Sequence, residues 1–220
     1  MKYYTIEWDY DNIEVIGHYP QVTLKKEYNP DLDDRIWKVR HHFFPNFIPN
    51  IELELHDKAK RTNFIERSDT YFGMFVDFKF KEVLKKAIIP PHKFYSIKVY
   101  HKGELLEYYW LHYIIDDFWK FLDIEKSKGK IIDQKNEFHK EELNLSHSID
   151  SLLKKQEDLP YYQHMKWDKI VFKTDFPRYD IYETQTFDFK TVISESLLLA
   201  LKEENISGFI AKPYNKIICK

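Results

Sequence analysis

The 220-residue sequence predicts an α+β fold: a mixed or antiparallel sheet with a few amphipathic helices, arranged in outline as two strand-helix-strand lobes. Three observations lead there. The chain carries 17 Phe, 16 Tyr and 5 Trp against only 5 Gly, so it can bury enough apolar surface to offset the entropy of ordering it, as disordered segments cannot. Short runs alternate apolar and polar residues in the manner of half-buried strands. Two stretches follow the 3, 4 spacing of an amphipathic helix behind a residue suited to cap it.

Met1 to Trp8 (MKYYTIEW) alternates loosely and reads as an opening strand, broken at Gly17 to Pro20. Pro45 and Pro49 interrupt the aromatic stretch from Ile36, which gives irregular chain and then a short strand at Ile51 to Leu55 (IELEL). Phe72, Met74, Val76, Phe78 and Phe80 alternate as a strand does, whereas Phe80, Val83, Leu84 and Ala87 keep helical spacing. The reading favoured is a strand into Val76, Asp77 as N-cap, and a helix to about Ala87 stopped by Pro90-Pro91. Phe94 to Tyr100 and Leu105 to Ile115 form a hairpin across His101 to Glu104. Residues 126 to 166 are the most polar stretch and are assigned one helix, near Ile149 to Gln156. Trp167 to Lys173 and Tyr179 to Glu183 read as strands, and Ser194 caps a helix through Leu197, Leu198, Leu201 and Lys202 that exits at Asn205 or Gly208.

The two helix segments, VDFKFKEVLKKAI from Val76 and ISESLLLALKEEN from Ile193, can be laid over one another with Asp77 and Ser194 both at the cap. They suggest an internal duplication of a strand-helix-strand unit; the alternative is coincidence between two ordinary amphipathic helices. The length fits one domain over 1–220, within which a subregion 1–70 and a core 71–220 can be distinguished.

Composition excludes more chemistry than it suggests. With 34 basic against 36 acidic residues the net charge is -2, and only five of the basic residues are Arg, the usual source of bidentate phosphate and base contacts, so no nucleic-acid partner is expected. The first ten residues hold two acids and no apolar h-region, and no apolar run approaches the roughly 20 residues of a membrane span, so a cytoplasmic location is expected. One Cys, Cys219, makes neither an internal disulfide nor a cysteine zinc site. Phosphate-cradling glycine motifs, HExxH and GxSxG are absent. The ten His show no short ligand spacing, and His41-His42, as neighbours on a strand, would splay to opposite sides. The paired acids read as solvated surface, and the Phe78 to Lys81 alternation as buried rings with Lys projecting outward. These readings give no catalytic residue, no metal and no cofactor.

The stretch YYWLHYIIDDFWKFLDIEKSKG (Tyr108 to Gly129), with Asp123 four residues before Ser127, is followed by VISESLLLALKEENISGFIAKP (Val192 to Pro213). Together they resemble a family of bacterial immunity proteins of polymorphic toxin systems, catalogued as DUF sixteen twenty-nine. The segments GHYPQV, RIWKVRHHFFPNFIPNIELELHDKAKRTNFIERSD and PPHKFYSIKVYHK are similar to its Bacteroidetes-like branch. The resemblance covers most of the chain and thins across residues 130 to 165. It departs at Asp77-Phe78, where the pattern favours Ser followed by a charged or small residue. It implies a protein that is not an enzyme and that neutralises a cognate toxin by direct binding, without a cofactor; no oligomeric state is assigned. Asp123, Ser127 and Ser194 match the motif, and the residue types suit turns and caps.

Charge is unevenly spread: residues 1–34 hold eight acids against three Lys. An inhibitor can present carboxylates to the basic cleft in which a nucleic-acid-cleaving toxin holds phosphate. Asp31, Asp33 and Asp34 are therefore the first partner-binding candidates, and Asp116 and Asp117 the second. Two rival classes stand beside this expectation: an enzyme of unrecognised type whose His and acids converge only in the fold, and a regulatory module holding a small ligand in an aromatic pocket between lobes.

Overall fold

A computed structural model of the chain describes residues 1–29, 31–32, 38–67, 72–114, 118–134, 140–145 and 148–218. The fold is α+β, with three sheets of mixed or antiparallel pairing. The largest, six-stranded, runs in the order β2 (Val22–Leu24), β3 (Glu52–Leu55), β6 (His92–His101), β7 (Glu104–Tyr113), β5 (Met74–Asp77), β4 (Phe64–Ile65). A four-stranded sheet orders β11 (Ile181–Glu183), β12 (Thr191–Ser194), β1 (Tyr3–Trp8) and β13 (Phe209–Pro213). The third orders β14 (Ile217–Ile218), β10 (Gln163–Val171), β8 (Lys128–Asp133) and β9 (Lys140–Leu143). The helices are α1 (Ile13–Ile16), α2 (Phe78–Leu84), α3 (Ile149–Glu157) and α4 (Glu195–Glu203), with a 3-10 turn at Phe118–Phe121.

Strand alternation distributes the apolar side chains among three cores. On β7, Tyr109, Leu111 and Tyr113 face a central core under α2 and α4, while Tyr108 and Trp110 face the opposite core with Leu53, Val99 and Phe75. On β12, Ile193 enters the central core and Val192 a third core, where the four-stranded sheet meets β8, β10 and α3 around Trp167. Both predicted caps form: Asp77 Oδ1 accepts from the Phe80 amide at 2.9 Å, and Ser194 Oγ from the Leu197 amide at 3.1 Å. The helix faces then bury Phe80, Val83 and Leu84 on α2 and Leu197, Leu198 and Leu201 on α4. Leu201→Ala is expected to cost about 2 to 5 kcal/mol in chemical denaturation, and an unchanged midpoint would place that face elsewhere.

The topology repeats. In the large sheet the order β6-β7-β5-β4 places β5 and β6 parallel to one another, on either side of β7, with α2 between them in the chain. In the four-stranded sheet the order β13-β1-β12-β11 does the same with β12, α4 and β13 around β1. The register is shared as well. Phe64 pairs with Val76 and Ile181 with Ile193, and both members of the second pair stand 117 positions after those of the first. Across the central strands, Ser96 and Pro213 pair with Tyr109 and Tyr4, and are again 117 apart. The middle strand comes from the following hairpin arm in one half and from the N-terminus in the other.

Equivalent polar residues tie each helix cap to the other half. Asn63 Nδ2 donates to the α2 cap Asp77 at 2.6 Å, and its Oδ1 accepts from Ser207 N at 2.8 Å. Asp180, 117 positions later, accepts from the α4 cap Ser194 at 2.6 Å and from Ile88 N at 2.8 Å. Where the halves meet, a Cβ on Gly208 (φ +89°) would lie 2.1 Å from the Phe64 carbonyl oxygen, so only glycine permits the approach.

Differences from the sequence reading have local causes. The polar stretch 126–166 holds β8, β9 and the start of β10 besides α3, because Gly129 and Ile131 face inward while Lys128 and Lys130 carry the polar face. Helix α2 ends at Leu84, and β6 starts directly after Pro91. Phe78 lies on the exposed face of α2 at 52 % exposure, since at helical spacing it cannot share a face with Phe80. His41 and His42 sit in a turn, not a strand, and their rings lie 3.8 Å apart on one side. The hairpin turn forms as expected, with Lys102 (φ 53°) and Gly103 (φ 82°) both left-handed. Strands β4 and β5 pair across residue 70, so the 1–70 and 71–220 subregions share a sheet.

Candidate functional site

Of the predicted partner-binding acids, Asp31 alone lies among the described residues. Asp31 is exposed in a turn whose amide is held by Asn29 Oδ1 at 3.0 Å. Asp33, Asp34, Asp116 and Asp117 lie outside the described residues. Asp123 accepts from the Lys126 amide at 3.3 Å and pairs with the Lys126 ammonium, while its carbonyl accepts from Ser127 N at 2.9 Å. Ser127 is buried and bonds both ways to Val171 of β10, at 3.0 Å to its amide and 3.3 Å to its carbonyl. Ser194 is the α4 cap. These three residues close turns and caps.

The three sheets converge elsewhere. A groove of about 450 Å³ runs between α3, which contributes Ile149 and Leu153, and a wall of His41, His42 and Phe72 from the large sheet's side. Its floor is the β11–β12 connection: Glu183, Gln185, Thr186 and Phe189. Phe189 also borders a second crevice of about 380 Å³ lined by Trp8, Tyr10, Glu66, Arg67 and Lys190. Phe189 is 68 % exposed and Tyr10 47 %, an open aromatic rim.

The floor is rigid for a reason visible in its bonds. The Thr184 amide donates to the Lys190 carbonyl at 2.9 Å, and the Lys190 amide returns to Thr184 Oγ1 at 3.0 Å. Asp188 accepts from the Tyr214 hydroxyl at 2.9 Å and pairs with Lys216 at 2.5 Å, and Trp167 Nε1 donates to the Gln185 carbonyl at 2.8 Å. A loop pinned at both ends and in the middle presents Phe189 outward on backbone that has little freedom to lose on binding.

Two titratable groups here are displaced from their ordinary values. Burial pushes the Glu183 carboxyl up, and the Arg67 charge pulls it partly back. Tyr113, fully buried beside it, is driven above the usual phenol range by burial first and by the Glu183 charge second. A hydrogen bond with the Thr191 side chain works the other way, and burial outweighs it, so the phenol keeps its proton. No group of three or more His, Cys, Asp or Glu among the described residues is arranged to hold a metal ion. No described helix is long and apolar enough to cross a membrane. No family model and no curated protein matches the chain.

Sequence reasoning missed this site. Its members are spread over five segments, and the signal that could have found it is the spacing of 117 that aligns Glu66 with Glu183 and Phe72 with Phe189.

Proposed function

We propose that the protein is a cytoplasmic immunity-type inhibitor that binds a cognate bacterial toxin stoichiometrically, without cofactor or turnover. The observation that carries the reading is the rigid, open aromatic rim where the three sheets meet, with Phe189 displayed on a pinned loop. Aromatic anchors of low conformational freedom dominate the energetics of protein interfaces. The convergence of Glu183 and Tyr113 is the specific feature favouring an enzyme, but Tyr113 is 3 % exposed and its proton is held inside the fold. His41 and His42 line the same groove, but among the described residues no hydrogen bond joins either to Glu183, so the paired acid and base that hydrolytic or proton-transfer chemistry requires are not assembled there.

Titration against the candidate toxin domains that genes neighbouring this one encode tests the reading. Toxin activity is expected to fall linearly to zero at about one equivalent of inhibitor, with a complex of matching stoichiometry by native mass spectrometry. Complete inhibition at a small fraction of an equivalent would replace binding by catalysis. No complex at micromolar concentrations would remove the toxin from the account.

A further inference from the structure

The repeated halves differ in one respect that bears on binding. In the first half, the Glu66 carboxylate accepts from two consecutive backbone amides of the chain's own extended segment, Gln21 N at 2.9 Å and Val22 N at 3.2 Å. That segment is seated at Gln21 and Val22, which are 0 % and 3 % exposed, and the Gln21 side chain bonds Lys60 O at 3.1 Å, Thr62 Oγ1 at 2.9 Å and Trp8 Nε1 at 2.9 Å. In the second half, Glu183 occupies the same register 117 positions later, beside Tyr113, which takes the place of Trp8 in the central strand. Among the described residues no N–H or O–H donates to Glu183, and the groove it borders is open. Phe72 packs on Trp110 at 5.3 Å, whereas its counterpart Phe189 faces solvent.

We propose that the Glu183 groove is a docking site for an extended segment of a protein partner, whose consecutive backbone amides donate to Glu183 as Gln21 and Val22 donate to Glu66. The occupant is read from the molecule itself, because one copy of the repeated site is filled by extended main chain and shows what the geometry accepts. A carboxylate takes two N–H donors well, and a carboxylate withdrawn from water without donors carries a desolvation cost that such a segment would relieve. Phe189, Leu153 and Phe72 offer apolar contacts to side chains on either side of the seated backbone. The site deepens the binding-protein reading by naming its contact surface, and it rests on that reading for the identity of the partner.

The experiment separates the two. A capped synthetic octapeptide of the protein's own seated segment, residues 17–24 (GHYPQVTL), is titrated into the isotopically labelled protein and followed by amide NMR. Saturable shifts are expected at Glu183, Phe189 and Leu153, with binding at least about tenfold weaker in Glu183→Gln. Without peptide, Glu66→Gln should lower the melting temperature, since it weakens two internal bonds, while Glu183→Gln should leave it unchanged or raise it. No saturable shift at those residues up to about 5 mM peptide would overturn the proposal. So would Glu183→Gln binding as the wild type does, or destabilising the free protein as much as Glu66→Gln. Failure of the toxin titration with these results in hand would remove the partner and leave the peptide site.

Discussion

Trp167→Ala is expected to lower the unfolding free energy by about 3 to 5 kcal/mol, the upper range for a large-to-small change in a core. Trp167 is 0 % exposed at the centre of the third core, edge-on to Phe118 at 5.9 Å and tilted against Phe187 at 4.6 Å. Its removal opens a cavity too well braced to collapse: β10 is fixed on one side by β8 and on the other by β14. The indole N–H also holds the Gln185 carbonyl, so the variant releases the middle of the loop that displays Phe189. Loss of stability and loss of partner affinity should therefore travel together. Trp167→Phe should recover most of the packing but not the loop, and so separate the two effects. A midpoint displaced by less than about 1 kcal/mol in Trp167→Ala would mean that this core is not what joins the two four-stranded sheets.

Local signals were legible where one residue decides a conformation. Asp77 and Ser194 begin helices because a side-chain acceptor meets an amide three residues on, and that geometry is written in four consecutive letters. The Lys102-Gly103 turn is of the same kind. Strands β8 and β9 were illegible because Lys128, Lys130, Glu141 and Glu142 dominate the composition while only Gly129, Ile131 and Leu143 face inward. The candidate site was harder still. Glu183 has no distinguishing neighbours in sequence, and its significance comes from the contrast with Glu66, whose two donors arrive from residues 45 and 44 positions away. The overlay of the two helices pointed at the repeat, but the strand register was needed to carry the alignment back to those carboxylates.

Acidification should destabilise the protein through His112, with the loss confined to the interval between pH 6.5 and about 4. His112 is 0 % exposed, stacked on Trp110 at 4.9 Å and 13°, with Phe72 at 5.0 Å and Phe44 at 5.1 Å. Burial lowers its pKa from 6.5 to about 4, the backbone of His41 works against that shift, and the charges of His41 and Lys93 add to it. Above pH 6.5 the imidazole is neutral folded and unfolded, so its charge has no influence. As the pH falls below 6.5 the unfolded chain takes the proton and the folded one does not, so stability declines; below about 4 both carry it and the decline stops. The total is at most about 3 to 4 kcal/mol, from about 1.4 kcal/mol per pKa unit. Glu183, whose carboxyl is raised, contributes with the opposite sign, its stability being present in acid and lost as the pH rises through its titration. Comparison with His112→Phe isolates the imidazole, because a phenyl ring can keep the stack on Trp110 and cannot be protonated. Denaturation midpoints measured from pH 7.5 to 4 should fall more steeply for the wild type than for the variant, the difference between them moving in the variant's favour as the pH drops. Parallel slopes would mean that the His112 ring reaches water or a hydrogen-bond acceptor in solution, and that the segment carrying His41 and Phe44 does not close over it.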